Sequence, residues 1–249
     1  MAEPILRPGA VALVTGASSG IGRALVPMLA ARGLRVIGTG RNPERLDAVM
    51  APLGANGLGV PLDLADGDAI ARLPGRLPEG WRAVDVLVNN AGHDVGGRRR
   101  LEAGTADQWA AIIEANVIGL IRMTRALVPG MLERGRGHIV NLGSVAGLRA
   151  LKGGNVYNAS KFAVHGFTDA LRLDYADTDL RVTEILPGLA RTGFAAARAE
   201  GDEAAADAFY RGFPGYMEPE DVARTILFAL EQPPHVTIAQ LVVVPTRGG

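Results

Sequence analysis

Short apolar runs alternate with longer segments of helical period along the chain, and this alternation constrains the fold more than any other feature. Most of the runs are apolar at successive positions, as in strands of a parallel sheet that is covered on both faces. The predicted strands are Val11–Thr15, Arg35–Thr39, Gly57–Leu62, Val84–Val88, His138–Leu142, Arg181–Leu186 and Thr237–Val244. The predicted helices are Ile21–Ala31, Pro43–Met50, Ala65–Leu73, Thr105–Glu133, Val156–Ala176 and Pro219–Leu230. Repeated strand–helix units predict an α/β fold with a doubly wound parallel sheet of about seven strands.

The 249 residues are predicted to form a single Rossmann-type domain, since α/β folds often use this length as one unit. The Pro- and Gly-rich stretch Leu73–Gly80 is interpreted as a tight loop, because the strand–helix rhythm resumes directly after it. Residues 8–143 and residues 144–249 are expected to form the two halves of this domain.

Composition argues against several classes of protein. Lys plus Arg number 26 and Asp plus Glu number 26, whereas nucleic-acid binders and polybasic membrane anchors carry a basic excess. The absence of cysteine excludes disulfide scaffolds, thiolate metal sites and cysteine nucleophiles, and no metal site is predicted. Neither a secretory signal nor an apolar run long enough to span a membrane is found. We therefore expect a soluble cytoplasmic protein.

A glycine-rich turn follows the first predicted strand and precedes the first predicted helix. Glycines in this position let the backbone approach a pyrophosphate, which then rests against the helix N-terminus. The spacing is G-x-x-x-G-x-G, and a plain strand-to-helix turn is the alternative. The candidate cofactor-binding residues of the turn are Gly16, Ser18, Ser19, Gly20, Ile21 and Gly22.

The end of the second predicted strand favours NADP over NAD. An acidic residue about 20 positions past the glycines would bind the ribose 2′-hydroxyl of NAD. This sequence has Gly40 and Arg41 there, and an arginine suits a 2′-phosphate through charge-assisted hydrogen bonds. A solvated loop arginine is the alternative interpretation of Arg41.

Tyr157 and Lys161 are four positions apart in a predicted helix and therefore lie on one face. A nearby ammonium favours the phenolate and lowers the pKa of a tyrosine toward the working range. This spacing alone indicates little. Ser144, however, lies just past a predicted strand and Asn90 follows another, so both reach the sheet edge at which α/β proteins bind ligands. Their convergence predicts an active site.

The sequence resembles the short-chain dehydrogenase/reductase family across essentially its whole length. The motifs that carry the resemblance are Thr15–Gly22, the N-N-A-G turn Asn89–Gly92, and Pro187–Thr192, which is similar to P-G-x-V-x-T with Ala190 in place of valine. The resemblance implies a catalytic tetrad of Asn116, Ser144, Tyr157 and Lys161. It also implies cofactor contacts from Asp63, Leu64, Asn90, Ala91, Gly92, Tyr157, Lys161, Pro187, Gly188, Ala190 and Thr192.

The resemblance further implies a role for each member of the tetrad. Tyr157 is the general acid in carbonyl reduction and the base in alcohol oxidation, and Ser144 hydrogen-bonds the substrate oxygen. Lys161 binds the nicotinamide ribose and lowers the pKa of Tyr157. Asn116 holds a water that links Lys161 to bulk proton exchange, with a helix-packing amide as the alternative. Gly153–Tyr157 and His235–Thr246 resemble the NADP-dependent 3-hydroxy acid and serine dehydrogenase subgroup.

The segment after the N-N-A-G turn is expected to border the substrate mouth. It contains His93 and the run Arg98, Arg99 and Arg100. One of these arginines, or Arg149, is a candidate to bind a carboxylate or sulfonate, although a solvated loop is the alternative. His93, Arg149 and Asn155 are the substrate candidates. Thr192–Gly215, rich in alanine and aromatic residues, is interpreted as a lid that closes over the site, or as a helix that merely packs.

The main hypothesis is an NADP(H)-dependent alcohol dehydrogenase or ketoreductase for a small polar hydroxy compound, with a 3-hydroxy acid as a candidate. One alternative is an NAD-dependent dehydrogenase of an aryl or amino alcohol. Another is a nucleotide-sensing regulatory protein with little turnover. By resemblance the chain is expected to be a homo-oligomer, a tetramer or a dimer, with Thr105–Glu133 and Val156–Ala176 as contact faces.

Overall fold

The computed structural model describes residues 3–199 and 201–248, which contain one parallel sheet of seven strands. The strands are β1 Val11–Thr15, β2 Arg35–Gly40, β3 Gly57–Pro61, β4 Val84–Asn89, β5 Gly137–Leu142, β6 Leu180–Pro187 and β7 Gln240–Val243. Their order in the sheet is β3-β2-β1-β4-β5-β6-β7. Each predicted strand is present, with end shifts of a residue or so except at β7, which starts later than predicted. The predicted fold class is confirmed.

Nine α-helices are found in the part of the chain that the structure describes. They are α1 Gly20–Ala30, α2 Pro43–Met50, α3 Gly67–Arg76, α4 Ala106–Ile113, α5 Gly119–Glu133, α6 Asn155–Asp174, α7 Phe194–Arg198, α8 Glu203–Arg211 and α9 Pro219–Leu230. The predicted helix Thr105–Glu133 is wrong in one respect, because a π-helical turn at Glu114–Ile118 separates α4 from α5. Asn116 lies within this turn.

The stretch Leu73–Gly80 is not the loop that its prolines and glycines suggested. Helix α3 continues through Pro74 and Gly75 to Arg76. Ile70, Leu73 and Leu77 are almost fully buried, and their packing holds the last helical turn although Pro74 can donate no backbone hydrogen bond. Tertiary burial outweighs local propensity here.

Successive residues of each central strand pack on opposite faces of the sheet. In β1, Ala12 and Val14 pack with buried residues of α1, α2 and α9. Val11 and Leu13 pack with those of α3, α5 and α6. The sheet is thus covered on both sides, which explains the uninterrupted apolar runs. Each fully buried Leu or Val contributes about 1.5–3 kcal/mol to folding.

A buried polar network lies between the sheet and the α5/α6 layer. The Nδ2 group of Asn89 donates to Asn141 Oδ1 at 2.9 Å and to Thr124 Oγ1 at 3.0 Å. The Nδ2 group of Asn141 in turn donates to Thr168 Oγ1 at 2.9 Å. These bonds join β4 and β5 to the two helices, and they fix the positions from which the chain turns into the cleft.

The strand order reverses between β1 and β4, so the connections that follow these two strands leave in opposite directions. Open α/β sheets bind ligands in the crevice at such a switch point. Within residues 3–199 and 201–248, no helix is both long enough and apolar enough to cross a membrane.

Candidate active site

The glycine-rich turn between β1 and α1 has a backbone that side chains would obstruct. Gly16 and Gly20 lie in the left-handed region, with φ of 66° and 51°, which glycine enters without strain. A Cβ on Gly22 would lie 2.4 Å from the Gly16 carbonyl oxygen and 2.6 Å from Asn90 Nδ2. The sequence has glycine wherever the turn and the N-N-A-G segment approach each other closely.

Asn90 and Thr15 join the two sides of the switch point. The Nδ2 group of Asn90 donates to the carbonyl oxygens of Thr15 at 2.8 Å and Gly16 at 3.2 Å. In return, Thr15 Oγ1 accepts from the backbone N–H groups of Asn90 and Ala91, each at 3.0 Å. These four bonds hold the glycine turn against the end of β4.

A cleft of about 880 Å³ opens at this edge of the sheet. It runs from the glycine turn and Arg41 to Ser144 and Tyr157. The predicted site residues that line it are Gly16, Ser18, Ser19, Gly20, Ile21, Arg41, Asp63, Leu64, Asn90, Ala91, Gly92, His93, Ser144, Tyr157, Lys161, Pro187, Gly188, Ala190 and Thr192. Gly22 and Asn116 lie behind this lining, where Gly22 is packed close to Asn90 and Asn116 is hydrogen-bonded to His93. The cleft therefore brings most of the predicted positions together.

Two arginines that follow β2 line the cleft, and the sequence predicted one of them. Arg41 and Arg45 both line it. Asn42 caps α2 through its Oδ1, which accepts from the Arg45 N–H at 2.7 Å. This hydrogen bond fixes the backbone position of Arg45 in the first turn of α2. A Cβ on Gly40 would lie 2.9 Å from Ser18 Oγ, so an acidic side chain there would displace Ser18. These residues fit a phosphorylated dinucleotide, and the four-residue spacing of the arginines could have revealed Arg45.

Ser144, Tyr157 and Lys161 meet in the same cleft. Ser144 begins a short helical turn, with its Oγ accepting from the Ala146 N–H at 3.1 Å and donating to the Pro187 carbonyl at 3.4 Å. The Nζ group of Lys161 donates to the Leu142 carbonyl at 2.7 Å and lies 5.8 Å from the centre of the Tyr157 ring. A hydroxyl, a phenol and an ammonium are thereby grouped beside the end of β5.

The pKa of Tyr157 departs from its ordinary value in the direction opposite to the one expected. Burial raises this pKa to about 12, against the opposing effects of the hydrogen bond with Ser144 and the charges of Arg198 and Arg98. Burial also lowers the pKa of Lys161 to about 8, with the charge of Glu184 acting in the other direction. In the ligand-free protein, desolvation has a larger effect on the pKa of Tyr157 than stabilisation of its phenolate by the Lys161 ammonium.

Asn116 contacts the segment after the N-N-A-G turn. Its Oδ1 accepts from the His93 N–H at 2.9 Å, and its Nδ2 donates to the His93 carbonyl at 3.0 Å and to Ser160 Oγ at 3.1 Å. A Cβ on Gly92 would lie 3.0 Å from the Asn116 Oδ1 and 3.9 Å from the Lys161 Nζ. The amide is therefore close to Lys161, and its hydrogen bonds favour the packing alternative.

The predicted substrate residues are separated by the structure. His93 lines the cleft, and Arg149 and Asn155 are not among the described residues that do so. Arg149 is exposed after the turn that follows Ser144. Asn155 is held at the start of α6, with Nδ2 donating to the Arg99 carbonyl at 3.3 Å. Arg149 and Asn155 thus lie outside the described lining of the cleft.

The three consecutive arginines have three different environments. Arg98 lines the cleft. Arg99 donates to Gln108 Oε1 at 3.0 Å and lies over the Trp109 ring, while Arg100 is exposed and pairs with Glu102 at 2.6 Å. The solvated-loop alternative describes Arg100, and the ligand-facing prediction fits Arg98.

The predicted lid Thr192–Gly215 contains helices α7 and α8, and it is tied to the P-G segment by one tyrosine. The Tyr210 hydroxyl accepts from the Thr192 N–H at 3.1 Å and lies 3.1 Å from the Ala190 carbonyl and 3.0 Å from the Thr192 carbonyl. Phe194, Phe209 and Phe213 line the cleft. Asp94 and Arg198 line it too. Both lie in segments predicted to border the substrate, but neither is singled out by the sequence because neither belongs to a motif.

The cleft at the switch point contains a glycine turn, two arginines and a Ser–Tyr–Lys group. These features are typical of a nucleotide-binding α/β protein that can transfer a proton. Residues 10–203 match the model of the short chain dehydrogenase family. The NADP-dependent 3-hydroxy acid dehydrogenase YdfG of Salmonella typhi is 42% identical over 94% of this chain and 94% of its own. The sulfoacetaldehyde reductase of Chromohalobacter salexigens is 40% identical over 94% and 93%.

A solved structure gives the same result. The closed form of serine dehydrogenase complexed with NADP+ has a TM-score of 0.90 and 39% identity, covering 94% of each chain. The chain belongs to the short-chain dehydrogenase family. The predicted family, subgroup resemblance and enzyme class, an oxidoreductase, are confirmed. These relatives give no support to the alternative of a regulatory protein.

Proposed function

We propose that the protein catalyses NADP(H)-dependent interconversion of a hydroxyl and a carbonyl group on a small hydroxy acid. The observation that carries the proposal is the single cleft that joins the glycine turn and Arg41 to Ser144, Tyr157 and Lys161. The named relatives support the choice of cofactor and the polar, acidic substrate class.

NADP(H), when bound, supplies or accepts the hydride. In carbonyl reduction, the Tyr157 hydroxyl donates a proton to the substrate oxygen, and in alcohol oxidation its oxygen receives one. The Ser144 hydroxyl donates a hydrogen bond to the same oxygen and favours the charge that develops there. Because burial raises the pKa of Tyr157 to about 12, the neutral phenol is the resting form, which suits it to act as an acid.

The remaining residues bind and orient. The backbone of Gly16–Gly22 and the N-terminus of α1 would hold the pyrophosphate, and Arg41 with Arg45 would hold the 2′-phosphate. Asp63 and Leu64 would contact the adenine end, and Lys161 with Asn90–Gly92 and Pro187–Thr192 would contact the nicotinamide end. Phe194, Phe209 and Phe213 exclude water from the reacting atoms.

The deciding experiment replaces Tyr157 by phenylalanine. NADP+ binding, measured by calorimetry, stays within about twofold of wild type, while turnover of 3-hydroxy acids falls at least 10²-fold, as expected for loss of an acid–base group. Undiminished turnover in this variant contradicts the proposal. Screening hydroxy acids and neutral alcohols with both nicotinamide cofactors then identifies the substrate.

We further propose that the protein is a cytoplasmic homotetramer. Exposed apolar side chains support this assembly, with Phe162 and Leu173 on α6, Phe228 on α9, and Val242 and Val244 at the β7 edge. Leu173 is 76% exposed, and contact with a second subunit would cover it. Light scattering after size-exclusion chromatography gives the mass, and a mass of one or two chains contradicts the proposal.

A further inference from the structure

An arginine outside every sequence motif is fixed rigidly in the wall of the cleft. The Nη2 group of Arg198 lies 2.8 Å from Asp94 Oδ2, and the two side chains are 15% and 2% exposed. The guanidinium carbon is 5.3 Å from the centre of the Phe194 ring and 5.2 Å from that of Phe209. An ion pair and two aromatic rings thus restrict its orientation, which lowers the entropy lost when it binds a ligand.

This arginine is connected directly to the catalytic tyrosine. The rings of Tyr157 and Phe194 are 5.6 Å apart in an edge-to-face arrangement, and Arg198 packs on the same Phe194. The charges of Arg198 and Arg98 both lower the pKa of Tyr157 and that of Asp94 raises it. All three charged groups therefore lie close enough to the phenol to act on it.

Arg98 supplies a second guanidinium to the same wall. Burial and the charge of Arg198 lower the pKa of Arg98, which reflects two cations facing one space. Among the side chains that the structure describes, no carboxylate lies within 4.0 Å of the Arg98 guanidinium, whereas Arg100 has Glu102. Counted among the described side chains of this wall, the two guanidinium groups and the Asp94 carboxylate together carry one net positive charge.

We propose that Arg98 and Arg198 form a subsite for a substrate group that carries a single negative charge, either a carboxylate or a sulfonate. In this subsite Asp94 holds Arg198 in place and limits the net positive charge. The subsite lies beside Tyr157, so this inference rests on the proposed function. It assigns the substrate's anionic group to two named residues, and it predicts that monoanions are preferred to dianions. Guanidinium groups suit planar or tetrahedral oxyanions through paired N–H donors.

Binding of matched small molecules to the NADPH-loaded protein tests the subsite without turnover, because NADPH cannot oxidise an alcohol. The probes are 3-hydroxypropionate, 2-hydroxyethanesulfonate and neutral 1,3-propanediol, which share a primary alcohol on a short chain. We expect Arg98→Ala and Arg198→Ala each to weaken calorimetric binding of the two anions about 10- to 100-fold, the size of a lost charge-assisted hydrogen bond. Binding of the diol stays within about twofold, and the probe that wild type binds more tightly shows whether carboxylate or sulfonate is preferred.

The neighbouring Arg100→Ala is the matched control, since it removes the same charge from an exposed position and leaves anion binding unchanged. Equal weakening of diol and anions in Arg98→Ala, or unchanged anion binding, overturns the subsite. Turnover with NADP+ is measured separately on wild type. Its absence would contradict the proposed function, while selective loss of anion binding in the variants would still support the subsite.

Asp94→Asn tests whether Asp94 limits the net positive charge of the subsite. It also provides a second test of the subsite if Arg198→Ala does not fold. Wild type binds 2-hydroxyethanesulfonate more tightly than 2-hydroxyethylphosphonate at pH 8.5, where the phosphonate is a dianion. Asp94→Asn raises the net charge of the subsite by one, so the ratio of the two dissociation constants shifts toward the phosphonate by about tenfold. An unchanged ratio overturns the role assigned to Asp94.

Discussion

The side-chain amide of Asn116 pairs with both backbone groups of His93, accepting from its N–H at 2.9 Å and donating to its carbonyl at 3.0 Å. This pair fixes the segment that starts the substrate side of the cleft. Asp94 and Arg98 follow in the same segment, so the position of the proposed anion subsite depends on an amide in the π-helical turn.

Replacing Asn116 by alanine leaves the His93 backbone groups without these partners. We expect the free energy of unfolding to fall by about 1–3 kcal/mol, the cost of unsatisfied buried polar groups, and the KM for an anionic substrate to rise more than that for NADP+. Chemical denaturation and steady-state kinetics measure the two effects. Asn56→Ala, at an exposed amide away from this segment, is the control, and equal changes in both Michaelis constants would argue against a positioning role.

Arg41 and Arg45 are predicted to determine the choice of cofactor. Arg41→Ala and Arg45→Ala each remove a cation from the place assigned to the 2′-phosphate, so KM for NADPH rises about 10-fold or more per variant, while KM for NADH changes little. Initial rates with both cofactors measure the ratio. The exposed Arg72, which is remote from the cleft lining, serves as control in Arg72→Ala, and parallel losses with NADH and NADPH would refute the assignment.

Lys161 is predicted to make the stability of the ligand-free protein depend on pH. Burial lowers its pKa to about 8 in the folded state, against about 10.5 in the unfolded chain. Between these values the unfolded state binds more protons, so stability rises with pH across that window. Relative to Lys161→Met, wild type gains on the order of 3 kcal/mol from pH 8 to 10.5.

Urea denaturation across this pH range measures the gain. Lys152 is the chain's other lysine and is exposed, so Lys152→Met provides a control that follows wild type. Stability curves of wild type and Lys161→Met that run parallel from pH 8 to 10.5 would show that the lysine is not desolvated.

Gly22 and Gly75 are predicted to respond oppositely to alanine. A Cβ on Gly22 would lie 2.4 Å from the Gly16 carbonyl oxygen. In the described structure, a Cβ on Gly75 would have no heavy atom within 4 Å apart from its chain neighbours and the backbone of its own helix. Gly22→Ala therefore lowers the melting temperature and weakens NADP+ binding at least 10-fold. Gly75→Ala, within α3, stabilises by up to about 1 kcal/mol. Thermal denaturation and calorimetry check both, and a tolerated Gly22→Ala would contradict the close approach.

The central strands could be predicted from sequence because every residue of β1, β4, β5 and β6 is buried and most of these residues are apolar. Strand β7 is partly exposed, and its start was predicted less well. The glycine turn, Tyr157 and Ser144 were predictable because motif and topology place them at one sheet edge. Arg198 was not, since a single arginine in an alanine-rich segment has no local pattern and owes its place to Asp94, more than 100 positions earlier. The separate environments of Arg98, Arg99 and Arg100 likewise depend on partners elsewhere in the chain. The rise in the pKa of Tyr157 was not predictable either, because burial causes it and burial depends on the tertiary fold.

The π-helical turn at Glu114–Ile118 also sets the rotational phase between two helices. Such a turn is equivalent to one extra residue in an α-helix, and one residue corresponds to about 100° of rotation. Asn116 meets His93, and Thr124, further along, meets Asn89 in the buried network. Deleting one residue from the turn would rotate α5 by that angle. The Asn116 amide could then not keep its bonds to His93 while the Thr124 hydroxyl kept its bond to Asn89. The irregular turn lets one continuous helical segment satisfy both the loop of the active site and the interior of the sheet.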